Sequence, residues 1–126
     1  MTGSSCLGAL YEEHLLLGAE FEEGSSGVPS VACYAGESAD DAGAVLVDLT
    51  GCAYLLAGGT DAEDFCAAAL AGSRCGVGTL AWEAALNGAG RLVSVPLLMR
   101  TGPTEHVIID ASRRSDALGA WLAFLS

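Results

Sequence analysis

AVLVDLTGCAYLLAGGTDAEDFCAAALAG, residues 44–72, carries the pattern that decides the fold. In its first part Val45, Val47 and Leu49 alternate with Leu46, Asp48 and Thr50, a β-branched run of period two that predicts a strand closed by Thr50-Gly51. A second extended run, Cys52 to Ala57, follows at once. Gly58-Gly59 then supplies a turn that tolerates positive φ, and Thr60-Asp61-Ala62-Glu63 has the form of a capping box, with the Thr60 hydroxyl accepting at the helix start and Glu63 reaching back. Phe65, Ala69 and Leu70 recur at helical spacing, so the stretch reads as strand, strand, tight turn, helix over Asp61 to Ala71.

On the C-terminal side, residues 72–78 are a glycine-punctuated loop. Its GxG lies between a helix and a strand, the wrong order for a dinucleotide fingerprint. Thr79 to Leu86 reads as a strand, Asn87-Gly88-Ala89-Gly90 as a hairpin turn and Arg91 to Arg100 as the returning strand. Pro96 cannot donate to a ladder, which predicts an edge position or a bulge there. A turn at Thr101 to Thr104, a strand at Val107 to Asp110 and a helix at Ser115 to Leu125 complete the chain. Ser115 is the expected cap of that helix, and Leu118, Trp121, Leu122 and Leu125 form its apolar face.

On the N-terminal side, Leu10 to Phe21 has a helical pattern that Gly18 weakens. Residues 22–29 have loop composition, Ser30 to Tyr34 reads as a short extended piece, and 37–43 are acidic and turn-like. A ferredoxin-like α+β unit requires one more strand after its second helix, and none is expected here.

The chain has 126 residues, the size of one small domain over 1–126. Its net charge of −11 combines 16 acids with five arginines and no lysine, too few cations to neutralise a run of phosphates, so nucleic acid is not expected as a partner. The apolar share of 52% includes no uninterrupted run of the roughly 18 to 20 residues that span a bilayer, so no membrane is expected and the excess apolar surface points to a protein interface. Glu12, Glu13 and His14 interrupt the apolar N-terminus, which lacks a basic region; a cytoplasmic protein is the expectation. Five cysteines show no CxxC or Cys/His metal spacing and read as reduced, mostly buried thiols. No metal is expected.

A set of colinear motifs then stands out: Leu10-Tyr11-x-x-His14-x-x-x-Gly18-Ala19-x-Phe21, Pro29, Tyr34, VLVDLTG at 45–51, Gly59-x-Asp61-Ala62-x-x-Phe65, Leu86-Asn87-x-x-Gly90 and VIIDAS at 107–112. In order and spacing this resembles the N-terminal part of the aminomethyltransferases (T-proteins) of the glycine cleavage system, a tetrahydrofolate-binding family that also includes folate-dependent proteins of iron–sulfur assembly. The resemblance implies a ferredoxin-like half-domain, the first of two that surround the folate cavity in that family. The second half and a C-terminal barrel, with the tyrosines, glutamate and arginine that hold the folate, have no counterpart here.

Position by position, the resemblance places Trp82 where T-proteins have a tyrosine beside the pterin. The two aspartates after the family's Gly-Gly turn, one of them the catalytic carboxylate, become Ser94 and Val95, and a valine moves no proton. Asp110 replaces a pterin-binding asparagine; it accepts hydrogen bonds but donates only when protonated. Gly90-Arg91 in place of Gly-Gly is closer to the iron–sulfur branch. The implied folate-binding residues are Trp82, Asn87, Arg91 and Asp110, with tetrahydrofolate as cofactor and no catalytic residue.

Each has a plainer reading. Trp82 reads first as a core aromatic on a strand, Asp110 as a turn acceptor feeding Ser112, and Arg91 as a solvated turn residue. Asp48 and His14 read as a structural acceptor and a packing histidine. Two functions follow: an aminomethyltransferase-like one-carbon transfer subunit, incomplete on its own, or a non-catalytic binding or scaffold module of the same fold. In either case a homodimer, or a heteromer with a chain that supplies the missing half-domain, is expected.

Overall fold

The computed structural model describes residues 7–23, 27–37, 46–72, 74–112 and 114–126. The chain divides into two compact units, Met1–Gly51 and Cys52–Ser126.

The first unit contains α1 (Tyr11–Leu16), β1 (Ala19–Glu23) and β2 (Pro29–Tyr34), with β1 and β2 paired antiparallel. The helix expected to run from Leu10 to Phe21 stops at Leu16. Gly18 takes φ +78°, a left-handed backbone that terminates the helix, and the residues after it pair with β2 as a strand. Ser30 to Tyr34 is extended as expected. The acidic turn over 37–43 lies, beyond Glu37, outside the described residues.

The strand predicted at the head of the deciding stretch is absent over its described part. Residues 46–49 have no ladder partner, and Leu46 and Val47 are 98% and 65% exposed. Alternation states which residues could share a face, but a strand also needs a neighbour to bond its backbone. Here the local chain is organised by Asp48 instead. Its carboxylate accepts from the Thr50 amide at 2.9 Å and the Thr50 hydroxyl at 2.7 Å.

The second unit begins with β3 (Ala53–Gly58), the second run of the deciding stretch, followed by α2 (Ala62–Ala69). Gly59, at φ +124°, makes the turn between them. The capping box does not form. Asp61 occupies the N-cap without a side-chain hydrogen bond, and Glu63 turns away to Arg100 (2.9 Å) and Arg74 (3.3 Å). Two charge-assisted contacts outcompete a single return bond to a backbone amide.

The long hairpin that follows is broken at both arms. β4 (Leu80–Trp82) and β5 (Ala85–Leu86) replace the first expected strand; β6 (Leu92–Ser94) and β7 (Leu97–Gly102) replace the second, with the buried Pro96 at the break. The Pro96 carbonyl still accepts from the Glu83 amide at 3.0 Å, so the two kinks remain tied. β8 (Glu105–Asp110) and α3 (Ser115–Leu125) finish the unit. Arg114, not Ser115, is the N-cap of α3 and makes no side-chain cap bond; Ser115 is buried as the first helical residue.

The main sheet is antiparallel in the order β3-β8-β7-β4, and β5-β6 form a separate two-stranded ribbon. This is an α+β, ferredoxin-like half-domain: among the described residues no strand pairs with the outer edge of β3, where a complete ferredoxin-like unit carries its last strand. α2 and α3 supply the helical layer. Ile108 and Leu98 from the sheet, Cys66 and Leu70 from the α2 end, and Leu118 and Leu122 from α3 form the core.

The other face of the sheet is different. Register aligns Tyr54, Ile109, Leu97 and Trp82 in one row across the four strands, and Leu56, Val107, Met99 and Leu80 in the next. Every one of these side chains is apolar or aromatic, and none is buried.

Candidate functional site

Trp82 stands on β4, an edge strand, at the end of the first of those rows. Its ring is 68% exposed, which removes the core-aromatic reading and leaves an open aromatic surface. The cause is register: Trp82 opposes Leu97, which opposes Ile109, so all three point to the side without helices.

Asn87 and Arg91 come together in the β5-β6 turn. The Asn87 amide donates to the Arg91 carbonyl at 2.9 Å, and the Asn87 side-chain oxygen accepts from the Ala89 and Arg91 amides, both at 3.0 Å. Gly90 closes the turn at φ +73°. Asn87 therefore builds the hairpin with its oxygen. Arg91 is exposed, and its guanidinium is in no ion pair among the described residues.

Asp110 is not with them. It follows Ile109 in β8, so its side chain points to the opposite face, where it is 1% exposed. One carboxylate oxygen accepts from the Ser94 hydroxyl at 2.5 Å and the other from the Ser112 amide at 2.8 Å. Ser112 continues the network to Ser94 at 3.1 Å and to the Arg114 amide at 3.1 Å. This is the turn-acceptor role, and it pins the end of β8 to β6 and to the start of α3. A flat ligand stacked on Trp82 lies on the other side of the sheet from this carboxylate. Ser94 is consumed by the same network, while Val95 is 44% exposed and carries no acid.

A pocket under α2 holds a second polar group of note. Glu63, Cys66, Cys75, Glu83 and His106 line a void of about 10 Å³, and His106 Nδ1 is buried with no hydrogen-bond partner among the described residues. Burial lowers the His106 pKa, the nearby Arg100 cation lowers it further, and Glu63 opposes them. Gly72 lies so close to the Glu83 carboxylate that a Cβ there would overlap it.

In the first unit the structure joins three residues that the sequence presents separately. His14 Nδ1 lies 2.5 Å from the Tyr34 hydroxyl, and His14 Nε2 lies 2.7 Å from Asp48. The Asp48 carboxyl titrates lower than usual, first because the Thr50 hydroxyl and amide donate to it and then because of His14. Asp48 accepts hydrogen bonds as its sequence position suggests, and His14 bridges it to Tyr34. Their meeting across 34 residues had no signal beyond the separate motifs that contain them.

Among the described residues no group of three His, Cys, Asp or Glu side chains is placed to hold a metal, and no helix is long and apolar enough to cross a membrane. Of the described cysteines, Cys66 and Cys75 are buried as expected, whereas Cys33 is exposed.

No protein-family model matches the sequence, and no curated protein matches it. In fold it is similar to a solved structure, the glycine cleavage system aminomethyltransferase T from Bartonella henselae, at a TM-score of 0.75 and 18% identity. The superposition covers 97% of this chain and 36% of that one. The chain thus spans about a third of the length of that protein, and the likeness is one of fold.

Proposed function

We propose that this chain is an aminomethyltransferase-like half-domain that binds a reduced folate, tetrahydrofolate, on the open side of its sheet and performs no one-carbon transfer by itself. The observation that carries the reading is the exposed Trp82 ring, which stands where the family resemblance expects a pterin-facing aromatic. Arg91 suits the carboxylates of a folate tail: it is exposed, fixed at the hairpin turn and in no ion pair among the described residues. Asn87 offers its side-chain nitrogen, since its oxygen is held within the turn. Asp110 is assigned to the fold and not to the ligand. Transfer needs a carboxylate placed against the reacting nitrogen, and neither Ser94 nor Val95 supplies one.

The test is a titration with tetrahydrofolate followed by tryptophan fluorescence. Binding should saturate and should be lost in Trp82→Ala but kept in Trp121→Phe, a half-buried helix residue. Arg91→Ala should weaken it about tenfold, the usual share of one exposed charge-assisted contact. Saturable binding that ignores Trp82 would move the site elsewhere. Turnover of an aminomethyl donor by the lone chain would overturn the non-catalytic part.

A further inference from the structure

The open face of the β3-β8-β7-β4 sheet is built as an interface. Its outer strands leave Tyr54 and Leu56 57% and 69% exposed on one side, and Leu80 and Trp82 59% and 68% exposed on the other. No charged side chain stands in either of its two cross-strand rows. Beyond the second row the face ends in a polar contact, where Glu105 accepts from the Thr101 hydroxyl at 2.6 Å. A contiguous apolar patch with a polar border marks a contact surface.

The chemistry of the patch selects among occupants. Nucleic acid and anionic lipid require cations, and the rows contain none. A flat uncharged sheet face is matched by another sheet face packed about 10 Å away. We infer that a second copy of this chain covers it, forming a two-fold sheet-on-sheet dimer. Covering the exposed parts of the two rows removes on the order of 600 Å² from each copy, about 1,200 Å² in all, which reaches the lower limit of specific stable interfaces. A two-fold axis along the strands lays the β3 end of one sheet over the β4 end of the other. The aromatic side chains Tyr54 and Trp82 then meet at both margins, and the smaller residues of β7 and β8 meet at the centre. The inference rests on the two apolar rows alone; because the dimer covers the Trp82 ring, it competes with a ligand stacked there.

Sedimentation of the purified full chain at tens of micromolar tests it. The wild type should run as a dimer, and added salt should tighten the dimer because each copy carries a net charge of −11. Leu80→Lys and Leu56→Lys place a charge on exposed edge-strand positions that the monomer tolerates. Each should raise the dimer dissociation constant about a hundredfold while far-ultraviolet circular dichroism stays unchanged. Phe124→Lys, on an exposed position of α3, should leave the dimer intact. A monomeric wild type would overturn the inference. So would a dimer that ignores Leu80→Lys, which would place the contact at the free β3 edge, or one that Phe124→Lys disrupts equally. Leu56→Lys spares Trp82, Asn87 and Arg91 and uncovers the Trp82 ring, so folate titrated into this monomeric variant tests the folate site separately from the dimer.

Discussion

Ile108 and Ile109 are consecutive in the same strand, yet they occupy different environments. Ile108 faces α2 and α3 and is 1% exposed; Ile109 faces the open side and is only half-buried. The same division runs through the whole sheet. The helix side holds the core together with the buried polar residues Asp110, Ser94 and His106, each beyond the reach of a ligand on the other side. The open side holds two rows of apolar side chains with Trp82 at their margin. A sheet built this way separates stability from recognition by strand parity alone.

The strongest way to break that separation is the isoleucine pair itself. Ile108→Ala should lower unfolding stability in urea by about 2–5 kcal/mol, since it opens a cavity in a packed core. Ile109→Ala, measured dilute enough to hold the chain monomeric, should cost about 1 kcal/mol or less. Equal losses would mean that the open face is packed within the monomer. Next in size is Ser94→Ala, which takes from the buried Asp110 carboxylate one of the two hydrogen bonds it accepts among the described residues and should cost about 1–3 kcal/mol without altering any ligand affinity on the open face.

A pH titration sharpens the same contrast. The folded His106 pKa lies below its ordinary value, so the unfolded chain binds the proton first as pH falls. Stability should therefore be full above the ordinary histidine range and decline as pH drops through it toward the folded value. His106→Gln should flatten that slope, and an unchanged slope would assign it to another group. The smallest expected effect belongs to Thr60→Ala. With no cap bond at the start of α2, the loss should stay within about 0.5 kcal/mol.

Much of the second unit was legible because its signals are local. Gly59 turns the chain, Asn87 to Gly90 closes a hairpin, and α3 shows its face through Leu118 and Leu122. Where the reading failed, the deciding partner was distant. Leu46 to Leu49 has the pattern of a strand but no neighbouring strand. Thr60 and Glu63 have the form of a capping box, but Glu63 is claimed by arginines 11 and 37 residues further on. Pro96 announced an irregularity, yet sequence could not say that Glu83 would bend with it. The candidate site divided along the same line. The resemblance assigns both Trp82 and Asp110 to one ligand, and only the register of β4 on β7 and β7 on β8 shows that they point apart.

Arg100 has a consequence for the order of folding. Its guanidinium donates to the carbonyls of Cys75 (3.1 Å), Gly102 (3.3 Å) and Pro103 (2.9 Å) while pairing with Glu63. Those groups come from the loop after α2, the β7-β8 turn and α2 itself, so the residue cannot engage fully until all three have arrived. Such a contact is absent from an early transition state. Arg100→Lys keeps the charge but loses the planar set of donors that reaches four acceptors at once. In stopped-flow measurements it should therefore accelerate unfolding while leaving the folding rate nearly unchanged, which makes this arginine a latch on the lifetime of the folded unit.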